Sequence, residues 1–436
     1  MKVCVVGVGY VGLVAGACLA EMGNDVICVD NDEKKLENLK NGIIPIYEAG
    51  LEELIKTNVK ESRLTFSSDL KQAIKKSLVC FIAVGTPQKE DGSVDLSYVE
   101  KVAFDIGFAI DSYKVIVNKS TVPVGSSKKV KELIQKNAKA EFDVVSNPEF
   151  LKQGAAVEDF LRPDRIIIGS SSKKATGIML DLYSPYVRNQ NPIITMDNES
   201  AEMVKYASNC FLAVKISYAN EIANICEKVG ADIDKVRLGM CADTRIGSKF
   251  LYAGLGFGGS CFPKDIKALI KTAQDHDCDC SLIKSADEIN QKQRKLFLEK
   301  IFSYFKNNIK GKTFAVWGLA FKPKTNDLRE APSITIINAL LNSGAKIKAY
   351  DPKAMESAKE YFKDKITYCS SSYLALEGAQ ALLLLSEWNE FRNPDFEKMK
   401  SLMAQPLIFD GRNQYSPKVL LSLGFEYISV GRKELK

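Results

Sequence analysis

One cysteine stands where a thiol could act as a nucleophile. Cys261 follows the glycine-rich run 256–260 and precedes Pro263, which suits the first turn of a helix because the amide hydrogen it lacks would be unpaired there. Apolar residues then continue at helical spacing from Ile266. Since the positive end of a helix dipole favours the ionised form of a nearby thiol, this position predicts a reactive cysteine. The alternative is a buried structural cysteine, the commoner fate of a free thiol.

A second set of polar residues could bind a developing alkoxide. Lys205 and Asn209 are four residues apart in a stretch that predicts one long helix over residues 199–230, so they share a face. An ammonium and an amide placed side by side are donors of the kind found in an oxyanion hole. The alternative is a lysine that extends along the helix to solvent. Glu149, which follows a predicted strand, adds a carboxylate, although its segment could also be a simple turn.

The first predicted strand leads directly into the pattern G-x-G-x-x-G, formed by Gly7, Gly9 and Gly12. These glycines allow a tight turn, the approach of a pyrophosphate to the backbone and close packing of the next helix. Asp30 ends the following strand at about the 20-residue distance at which a carboxylate binds the ribose hydroxyls. The polar and acidic run 31–33 would repel a 2′-phosphate, so NAD is favoured over NADP although two lysines follow. The alternative is an ordinary turn between strand and helix.

Two further strand ends carry small polar residues. Gly85 and Thr86 follow one predicted strand, and Ser120 and Thr121 begin the run 120–125 after another. In a parallel sheet the carboxyl ends of the strands meet at one edge, where such folds bind their ligands. We therefore expect both segments at the ligand-binding edge.

The elements that must position these groups follow from the alternation of short apolar runs with helical patterns. This alternation in residues 1–195 predicts a parallel sheet, and a second alternation begins near Lys312. Between them in sequence lie the long helix, whose wide apolar belt should be buried on more than one side, and a charged helix over 291–310. The predicted strands are residues 2–6, 25–30, 78–84, 114–118, 143–146, 312–317, 346–350, 381–385 and 407–409.

The sequence thus predicts an α/β chain with two Rossmann-like doubly wound domains joined by a long central helix and a helical region. The expected division is an NAD-binding domain over 1–197, a central helical domain for dimerisation and catalysis over 198–300, and a smaller C-terminal domain over 311–436. Gly311 is the expected boundary before the last domain. The apolar belt of the long helix also predicts contact with a second subunit, and hence a homodimer.

Composition excludes several classes of protein. The 436 residues are 46% hydrophobic and 26% charged with a net charge of +6, and the positive charges are spread along the chain, so nucleic-acid binding is not expected. The longest apolar run near the start, residues 3–8, is too short to span a membrane, and we expect no secretory signal there. The eleven dispersed cysteines predict reduced thiols and a cytoplasmic protein.

The polar segment 275–280 contains acids, two cysteines and His276, the only histidine of the chain. Its alternation of acids and thiols does not match the spacing of zinc ligands, so we expect a loop between helices and no metal site. With one histidine, proton transfer in an enzyme would fall to lysine, aspartate, glutamate or bound water.

Together, an NAD site, a reactive thiol, an amine–amide pair and a carboxylate suit the oxidation of an alcohol in two steps. A thiolate adds to the aldehyde formed by the first oxidation and creates a thiohemiacetal that has a second hydride to give. The expected product is a carboxylic acid, formed with the reduction of two NAD.

Over essentially its whole length the chain resembles the nucleotide-sugar dehydrogenases, the UDP-glucose/GDP-mannose dehydrogenase family. The resemblance rests on eight motifs in family order: residues 7–12, 120–125, 147–154, Lys205-x-x-x-Asn209, 245–247, 256–265, 318–323 and 410–412. It implies oxidation of UDP-glucose to UDP-glucuronate with two NAD and one water, or the same chemistry on GDP-mannose or a UDP-N-acetylhexosamine. It also implies that the C-terminal domain binds the UDP-sugar.

The resemblance further assigns roles to individual residues. Cys261 would carry the thiohemiacetal and thioester, Glu149 would assist hydrolysis, and Arg245 would reach across a dimer interface. The implied catalytic residues are Cys261, Lys205, Asn209, Asp265, Glu149 and Thr121. The implied NAD-binding residues are Gly7, Gly9, Tyr10, Val11, Gly12, Asp30, Lys35, Gly85, Thr86, Ser120, Thr121, Gln153, Lys264 and Arg329. The implied substrate-binding residues are Glu149, Phe150, Leu151, Lys152, Lys205, Asn209, Arg245, Phe250, Tyr252, Gly258, Lys322 and Arg412.

One position departs from the family pattern. After Leu151 the family usually has Arg-Glu-Gly, whereas this chain has Lys152-Gln153-Gly154. Gln153 keeps hydrogen-bonding capacity without the charge, so we expect no acid–base role there and assign that role to Glu149.

Two other functions remain open. A two-electron β-hydroxyacid dehydrogenase also has a Lys-x-x-x-Asn pair but would not need the cysteine run, and a homologue that binds NAD without turnover would not need the intact catalytic set.

Overall fold

The computed structural model describes residues 1–187 and 192–433, which form two compact units. The first unit contains residues 1–208 and 267–276, and the second contains residues 209–266 and those from 277 onward. Division into the three domains expected from the sequence stays a prediction.

The first unit is built on a sheet of eight described strands with helices between them. Its strands are β1 (Lys2–Val6), β2 (Asp25–Val29), β3 (Leu64–Ser67), β4 (Val79–Ile82), β5 (Lys114–Asn118), β6 (Phe142–Ser146), β7 (Ile166–Gly169) and β8 (Ile193–Met196). Its helices are α1 (Tyr10–Glu21), α2 (Glu33–Lys40), α3 (Leu51–Lys60), α4 (Leu70–Lys76), α5 (Ser97–Ala109), α6 (Ser126–Gln135), α7 (Ala156–Leu161) and α8 (Lys173–Tyr183). A 3₁₀ turn at Ser184–Tyr186 follows α8.

The strand order of this sheet is β3-β2-β1-β4-β5-β6-β7-β8, and every pairing is parallel except that of β6 with β7. Because parallel sheets are covered on both faces, their central strands tend to be apolar, and β4 and β7 are buried at every residue. The chain runs outward from β1 in both directions, to β2 on one side and β4 on the other. Such a reversal opens a crevice at the carboxyl ends of the strands, where the glycine turn after β1 lies.

Four helices follow in the sequence: α9 (Asn198–Val229), α10 (Ile233–Cys241), α11 (Phe262–Asp275) and α12 (Ser281–Tyr304). The long helix predicted over 199–230 is α9, shifted by one residue. The helix predicted over 291–310 is wrong in its bounds, since α12 begins ten residues earlier and ends at Tyr304. It ends there because Lys306 and Asn307 adopt positive φ angles of 49° and 61°. His276–Cys280 lies between α11 and α12, the loop that the sequence predicts.

The second unit contains a smaller parallel sheet with the order β11-β10-β9-β12-β13-β14. Its strands are β9 (Thr313–Trp317), β10 (Lys346–Tyr350), β11 (Thr367–Tyr368), β12 (Ala381–Leu384), β13 (Leu407–Asp410) and β14 (Glu426–Ile428). Its helices are α13 (Pro332–Asn342), α14 (Met355–Phe362), α15 (Ser372–Leu376), α16 (Phe396–Leu402) and α17 (Pro417–Ser422), with a 3₁₀ turn at Asn389–Phe391. Two parallel α/β sheets and a helical region confirm the predicted fold class.

The apolar belt of α9 is only partly buried in the single chain. Cys210 and Ala213 are buried, whereas Phe211, Tyr218 and Ile225 are 62%, 46% and 52% exposed. The expectation that the belt is covered on more than one side is therefore not met by this chain alone. These three exposed residues recur every seven positions, so they lie along one stripe of the helix.

None of the described helices is both long and apolar enough to cross a membrane. In residues 1–187 and 192–433, no cluster of three or more His, Cys, Asp or Glu side chains is arranged to hold a metal ion.

Candidate active site

The turn after β1 is shaped by its three glycines. Gly7 has a φ of 98°, a left-handed conformation that glycine adopts without strain. A Cβ atom on Gly12 would lie 1.8 Å from the carbonyl oxygen of Gly7, so α1 can begin this close to β1 only without a side chain there. A Cβ on Gly9 would meet no atom within 4 Å, and no described side chain caps the start of α1. The backbone at Gly9 thus faces open space at a helix start, a setting that fits a pyrophosphate.

Asp30 follows β2 and lies beside this turn. Its Oδ2 atom accepts a hydrogen bond from the N–H of Val8 at 2.8 Å, and Lys35 Nζ lies 3.3 Å from the same oxygen. Oδ1 accepts from the N–H of Asp32 at 3.1 Å. Burial opposes ionisation of this carboxyl, but the two N–H donors and the Lys35 ammonium hold its pKa below the ordinary value. Asp30 is therefore a fixed carboxylate next to the glycine turn, which fits a ribose.

Tyr10, the first residue of α1, donates its hydroxyl to the buried carboxylate of Glu48. Glu48 also accepts hydrogen bonds from the N–H groups of Gly154 at 2.6 Å and Ala156 at 2.9 Å. Burial and this carboxylate raise the pKa of Tyr10, so its hydroxyl stays protonated and donates. Glu48 thereby ties the glycine turn to the segment that carries Gln153. The neighbouring Val11 is half-buried within α1.

The segments after β4 and β5 meet at one edge of the sheet. Thr86 Oγ1 donates to the carbonyl oxygen of Thr121 at 2.9 Å. Ser120 Oγ donates to the carbonyl oxygen of Val84 at 2.7 Å, next to Gly85. The four polar or small residues predicted at these two strand ends therefore lie together.

Glu149 and Lys205 form a buried ion pair within the first unit. Lys205 Nζ lies 2.8 Å from Glu149 Oε1 and donates to the carbonyl oxygen of Glu149 at 2.7 Å. The two side chains are 7% and 5% exposed, and the N–H of Leu151 donates to Glu149 Oε2 at 2.6 Å. Burial opposes ionisation of Glu149, but Lys205 and the Leu151 N–H hold its pKa below the ordinary value. Glu149 is therefore a carboxylate at neutral pH, able to accept a proton.

A cavity of about 70 Å³ lies beside this pair. One wall is the ring of Phe150, whose centre is 3.8 Å from the guanidinium carbon of Arg165. Another is Lys119, whose Nζ donates to Asn147 Oδ1 at 2.9 Å and whose pKa is lowered by burial to about 8. Lys152 also borders the cavity, paired with an aspartate at 2.9 Å. The segment predicted for substrate therefore borders a cavity with several cationic walls.

In the second unit, Cys261 directly precedes α11, as the sequence predicts. It is partly exposed, unlike Cys210 and Cys226 of the same unit, which are buried. Burial raises the pKa of Cys210 to about 12, which keeps that thiol protonated. Ser260 Oγ lies 3.7 Å from Cys261 Sγ. Cys261 thus combines access to solvent with a place at a helix start.

Asp265, on the first turn of α11, is 1% exposed. Its Oδ2 atom accepts a hydrogen bond from Asn209 Nδ2 at 2.6 Å, and Lys264 Nζ lies 3.0 Å from its Oδ1. The structure therefore assigns different carboxylate partners to the two helix residues that the sequence treats as one donor pair. Lys205 binds Glu149 in the first unit, and Asn209 binds Asp265 in the second.

The turn before Cys261 packs against residues 321–330 so closely that side chains would not fit. A Cβ on Gly258 would lie 2.3 Å from the carbonyl oxygen of Glu330, and a Cβ on Gly259 would lie 2.8 Å from the ring of Phe321. The N–H of Gly259 donates to the carbonyl oxygen of Arg329 at 2.8 Å. The position of the cysteine is thus set by the segment that also carries Arg329.

Three cations predicted to bind ligand lie in this second unit. Arg412 donates from Nη2 to the carbonyl oxygen of Phe321 at 3.2 Å, and Lys322 Nζ lies 5.5 Å from the centre of the Phe321 ring. Arg329 binds Asp327 through two hydrogen bonds, Nε to Oδ1 at 2.9 Å and Nη2 to Oδ2 at 2.6 Å. Since Phe321 also touches the cysteine turn, the structure brings these cations to the neighbourhood of Cys261.

The remaining predicted substrate residues are more exposed. Tyr252 is 62% exposed, and the guanidinium carbon of Arg237 lies 3.8 Å from its ring centre. The side chain of Arg245 is 87% exposed and lies 2.6 Å from Asp243. Phe250 has a φ of 66°, a strained conformation for a residue with a side chain. In the described part of the chain, Arg245 therefore extends largely into solvent.

Sequence reasoning misses several buried polar residues around these clusters. They are Glu48, Lys119, Glu202, Asn290 and Arg294. None stands in a glycine-rich turn or at the end of a predicted strand except Lys119, which directly precedes Ser120. That adjacency is the one signal that could have identified it.

The chain matches three family models in order. They are described as the NAD binding domain, the central domain and the UDP binding domain of the UDP-glucose/GDP-mannose dehydrogenase family, and they match residues 1–187, 199–292 and 315–417.

Relatives and solved structures agree with these models. The chain is 48% identical to UDP-glucose 6-dehydrogenase TuaD of Bacillus subtilis over 100% of its own length and 94% of the relative. It is 46% identical to a UDP-glucose 6-dehydrogenase of Pseudomonas aeruginosa over 99% of its own length and 98% of the relative. A UDP-glucose dehydrogenase structure from Pyrobaculum islandicum aligns with a TM-score of 0.88 at 36% identity over 94% of each chain.

Proposed function

The chain belongs to the UDP-glucose/GDP-mannose dehydrogenase family, which is NAD-dependent, and we propose that it oxidises C6 of UDP-glucose to give UDP-glucuronate. The overall reaction consumes UDP-glucose, two NAD⁺ and one water and gives UDP-glucuronate, two NADH and three protons. One observation carries the proposal: a partly exposed thiol stands at a helix start whose first turn holds a buried carboxylate. The names of the two relatives at 48% and 46% identity support the choice of substrate.

NAD, when bound, supplies the acceptor for a hydride from C6. We assign its pyrophosphate to the glycine turn and its ribose to Asp30, with Lys35 close to that carboxylate. The further residues assigned to the cofactor are Tyr10, Val11, Gly85, Thr86, Ser120, Thr121, Gln153, Lys264 and Arg329.

Cys261 enters after the first oxidation. Its sulfur attacks the C6 aldehyde, so that a C–S bond forms and the aldehyde oxygen takes up a proton, which gives a thiohemiacetal. Loss of a second hydride from C6 and of the hydroxyl proton gives a thioester. Water then adds to C6 and the C–S bond breaks, which releases the carboxylate and restores the thiol.

The two carboxylates suit the proton steps of this reaction. Glu149 is held ionised by Lys205, so it can accept a proton from the attacking water. Asp265 is held by Asn209 and Lys264 on the turn that follows Cys261. We assign Lys205 and Asn209, with Asp265 and water, to the alkoxide and its proton, and Thr121 to a place near C6.

We assign two groups of residues to the UDP-sugar. In the first unit, Phe150, Leu151 and Lys152 border the cavity beside Glu149. In the second unit, Lys322 and Arg412 carry positive charges that suit the diphosphate. Gly258, Phe250, Tyr252 and Arg245 complete the assigned set.

A panel of nucleotide sugars tests the substrate. Purified protein with NAD⁺ should reduce two NAD⁺ per UDP-glucose consumed, followed as NADH absorbance, and should give UDP-glucuronate. Activity with GDP-mannose or a UDP-N-acetylhexosamine and none with UDP-glucose would overturn the choice of substrate. No NADH with any of these sugars would overturn the proposed activity.

The covalent role of the thiol has a separate test. Cys261→Ser should still form aldehyde and the first NADH but no thioester, so that acid formation falls to background. The matched control is Cys278→Ser, because Cys278 is exposed and lies in the loop between α11 and α12. Full acid yield from Cys261→Ser would contradict the thiol mechanism.

We also propose that the protein is a homodimer joined along α9. The stripe of Phe211, Tyr218 and Ile225 exposes large apolar side chains at seven-residue spacing, and burial of such residues stabilises association of two identical helices. The substitution Phe211→Glu should therefore convert the dimer to monomer in light scattering, whereas Glu221→Gln, exposed on the same helix, should not. A monomeric native protein would refute this.

A cytoplasmic location is part of the same proposal. The eleven cysteines are dispersed along the chain, a distribution that suits a reducing compartment. Cell fractionation that recovers the protein outside the cytoplasm would contradict it.

A further inference from the structure

A buried polar edge of α12 faces the turn that carries the cysteine. Asn290 and Arg294 are 2% and 8% exposed, although they lie one helical turn apart in a stretch of the helix that is mostly polar or charged. Buried amide and guanidinium groups are costly unless they are hydrogen-bonded. Their partners therefore indicate what these residues do.

Asn290 binds both polar groups of one backbone unit. Its Oδ1 atom accepts a hydrogen bond from the N–H of Phe257 at 2.7 Å, and its Nδ2 donates to the carbonyl oxygen of Phe257 at 3.1 Å. The chain passes so close that a Cβ on Gly256 would lie 2.3 Å from Asn290 Oδ1. Asn290 thus fixes the backbone four residues before Cys261.

Arg294 joins this turn to a second segment. Its Nη2 atom donates to the carbonyl oxygen of Phe257 at 2.8 Å and to that of Glu330 at 3.0 Å. The carboxylate of Glu330 lies 3.9 Å from Arg294 Nη1 but is half exposed, so the two carbonyl oxygens are the principal partners of a buried charge. Burial lowers the pKa of Arg294, because the charged guanidinium is poorly hydrated there.

A second link joins the cysteine turn to the segment of Glu330, at a point closer to Cys261. The N–H of Gly259 donates to the carbonyl oxygen of Arg329 at 2.8 Å. The backbone of residues 257–259 is thus held at both ends against residues 329–330. Every one of these contacts uses main-chain atoms of the turn.

We propose that Asn290 and Arg294 are positioning residues that place the sulfur of Cys261 for attack on the aldehyde, so that they govern the second oxidation and not the first. The inference rests on the proposed function, in which only the second oxidation needs the thiol. Misplacement of a reacting atom by about 1 Å costs about 100-fold in rate. Loss of the Arg294 contacts should therefore slow the second step by about that factor.

Two substrates separate the steps. Single-turnover NADH formation from UDP-glucose reports the first oxidation. NADH formation from the C6 aldehyde of UDP-glucose, called UDP-6-aldehydo-glucose here, reports the second. We expect Arg294→Met to keep the first rate within about threefold while the second falls about 100-fold. Asn290→Leu should act in the same direction, and Arg294→Lys should recover part of the second rate because an ammonium can still donate to a carbonyl. The matched control is Lys295→Met, which removes an exposed charge from the same helix.

A measurement without substrate keeps this inference distinct from the proposed function. The rate of Cys261 alkylation by iodoacetamide, followed against pH by peptide mass, should fall in Arg294→Met and Asn290→Leu and not in Lys295→Met. If the wild type proves inactive with UDP-glucose, the proposed function fails and the alkylation rates alone decide the positioning role. Equal loss of both oxidations in proportion to a lower Tm, or unchanged alkylation in both variants, would overturn the inference.

Discussion

The buried pair of Glu149 and Lys205 makes a quantitative prediction for the substitution Lys205→Met. The variant removes the positive partner of a carboxylate that is only 7% exposed. Breaking a buried pair on one side costs about 3–5 kcal/mol, because an uncompensated charge stays buried. For a unit of this size each kcal/mol lowers the Tm by about 2–4 °C, so the Tm of the first unit should fall by about 6–20 °C.

The pH dependence of this loss follows from the pKa of Glu149. In the wild type the folded pKa is lowered, so the pair stabilises fully above the unfolded pKa, and the stabilisation is lost as pH falls through the folded pKa. In Lys205→Met burial raises the folded pKa of Glu149 instead, and the carboxyl takes up a proton as pH falls. The Tm difference between wild type and variant should therefore be largest near pH 8 and shrink toward pH 5.

Differential scanning calorimetry across this pH range measures the effect. The double variant Lys205→Met/Glu149→Gln removes the buried charge as well, so it should recover most of the Tm lost by the single variant at pH 8. An exposed lysine of the same helix, changed in Lys228→Met, is the control. A Tm loss that is equal in the single and double variants, or independent of pH, would refute the reasoning.

Three further predictions concern the glycine turns and the cofactor carboxylate. Asp30→Asn should raise the KM for NAD by about 10–150-fold, because hydrogen bonds to a charged group contribute about 1.5–3 kcal/mol. The kcat at saturating NAD should stay near the wild-type value. An unchanged KM would exclude Asp30 from the cofactor site. Gly12→Ala should lower the Tm and abolish NAD binding in calorimetry, because its Cβ would lie 1.8 Å from a carbonyl oxygen, whereas Gly177→Ala, with no atom within 4 Å, should not. Gly259→Ala should slow NADH formation from UDP-6-aldehydo-glucose more than from UDP-glucose, since its Cβ would lie 2.8 Å from an aromatic ring; equal slowing would count against a specific effect on the thiol.

Nine of the fourteen described strands were predictable, because they are runs rich in apolar residues with a turn signal after them. The sequence analysis did not predict β3, β7, β8, β11 and β14, and of these β3, β8, β11 and β14 contain exposed residues. β1, β5 and β10 have the predicted bounds, since the apolar and β-branched residues of a parallel strand indicate where it begins and ends. α12 was not predictable in its bounds because its buried face contains Asn290, Gln293 and Arg294, which resemble a solvent face in sequence. Polar residues that bind the backbone of a distant turn leave no periodic signal.

The parts of the candidate site that need an unusual backbone conformation or a helix start were predictable from the sequence. The pairing of one side chain with another was not. The glycine turns and Cys261 stand out because few residues fit those conformations or places. The ion pairs could not be foreseen, since which carboxylate meets Lys205 or Asn209 depends on contacts between residues 56 apart in the chain. Their spacing in the sequence suggested that Lys205 and Asn209 act as one pair of donors. In the folded chain Lys205 binds Glu149, whereas Asn209 binds Asp265.

The way in which α12 holds the cysteine turn has a consequence for how the protein can diverge. Asn290 and Arg294 bind carbonyl and N–H groups, which every amino acid possesses, so these contacts place no demand on the side chains at positions 257 and 330. Those two positions are free to accept new side chains as a lineage drifts, within the limits set by their own packing. Asn290 and Arg294 are not, because a substitution that removes their hydrogen-bonding groups removes a contact that no side chain in the turn can restore.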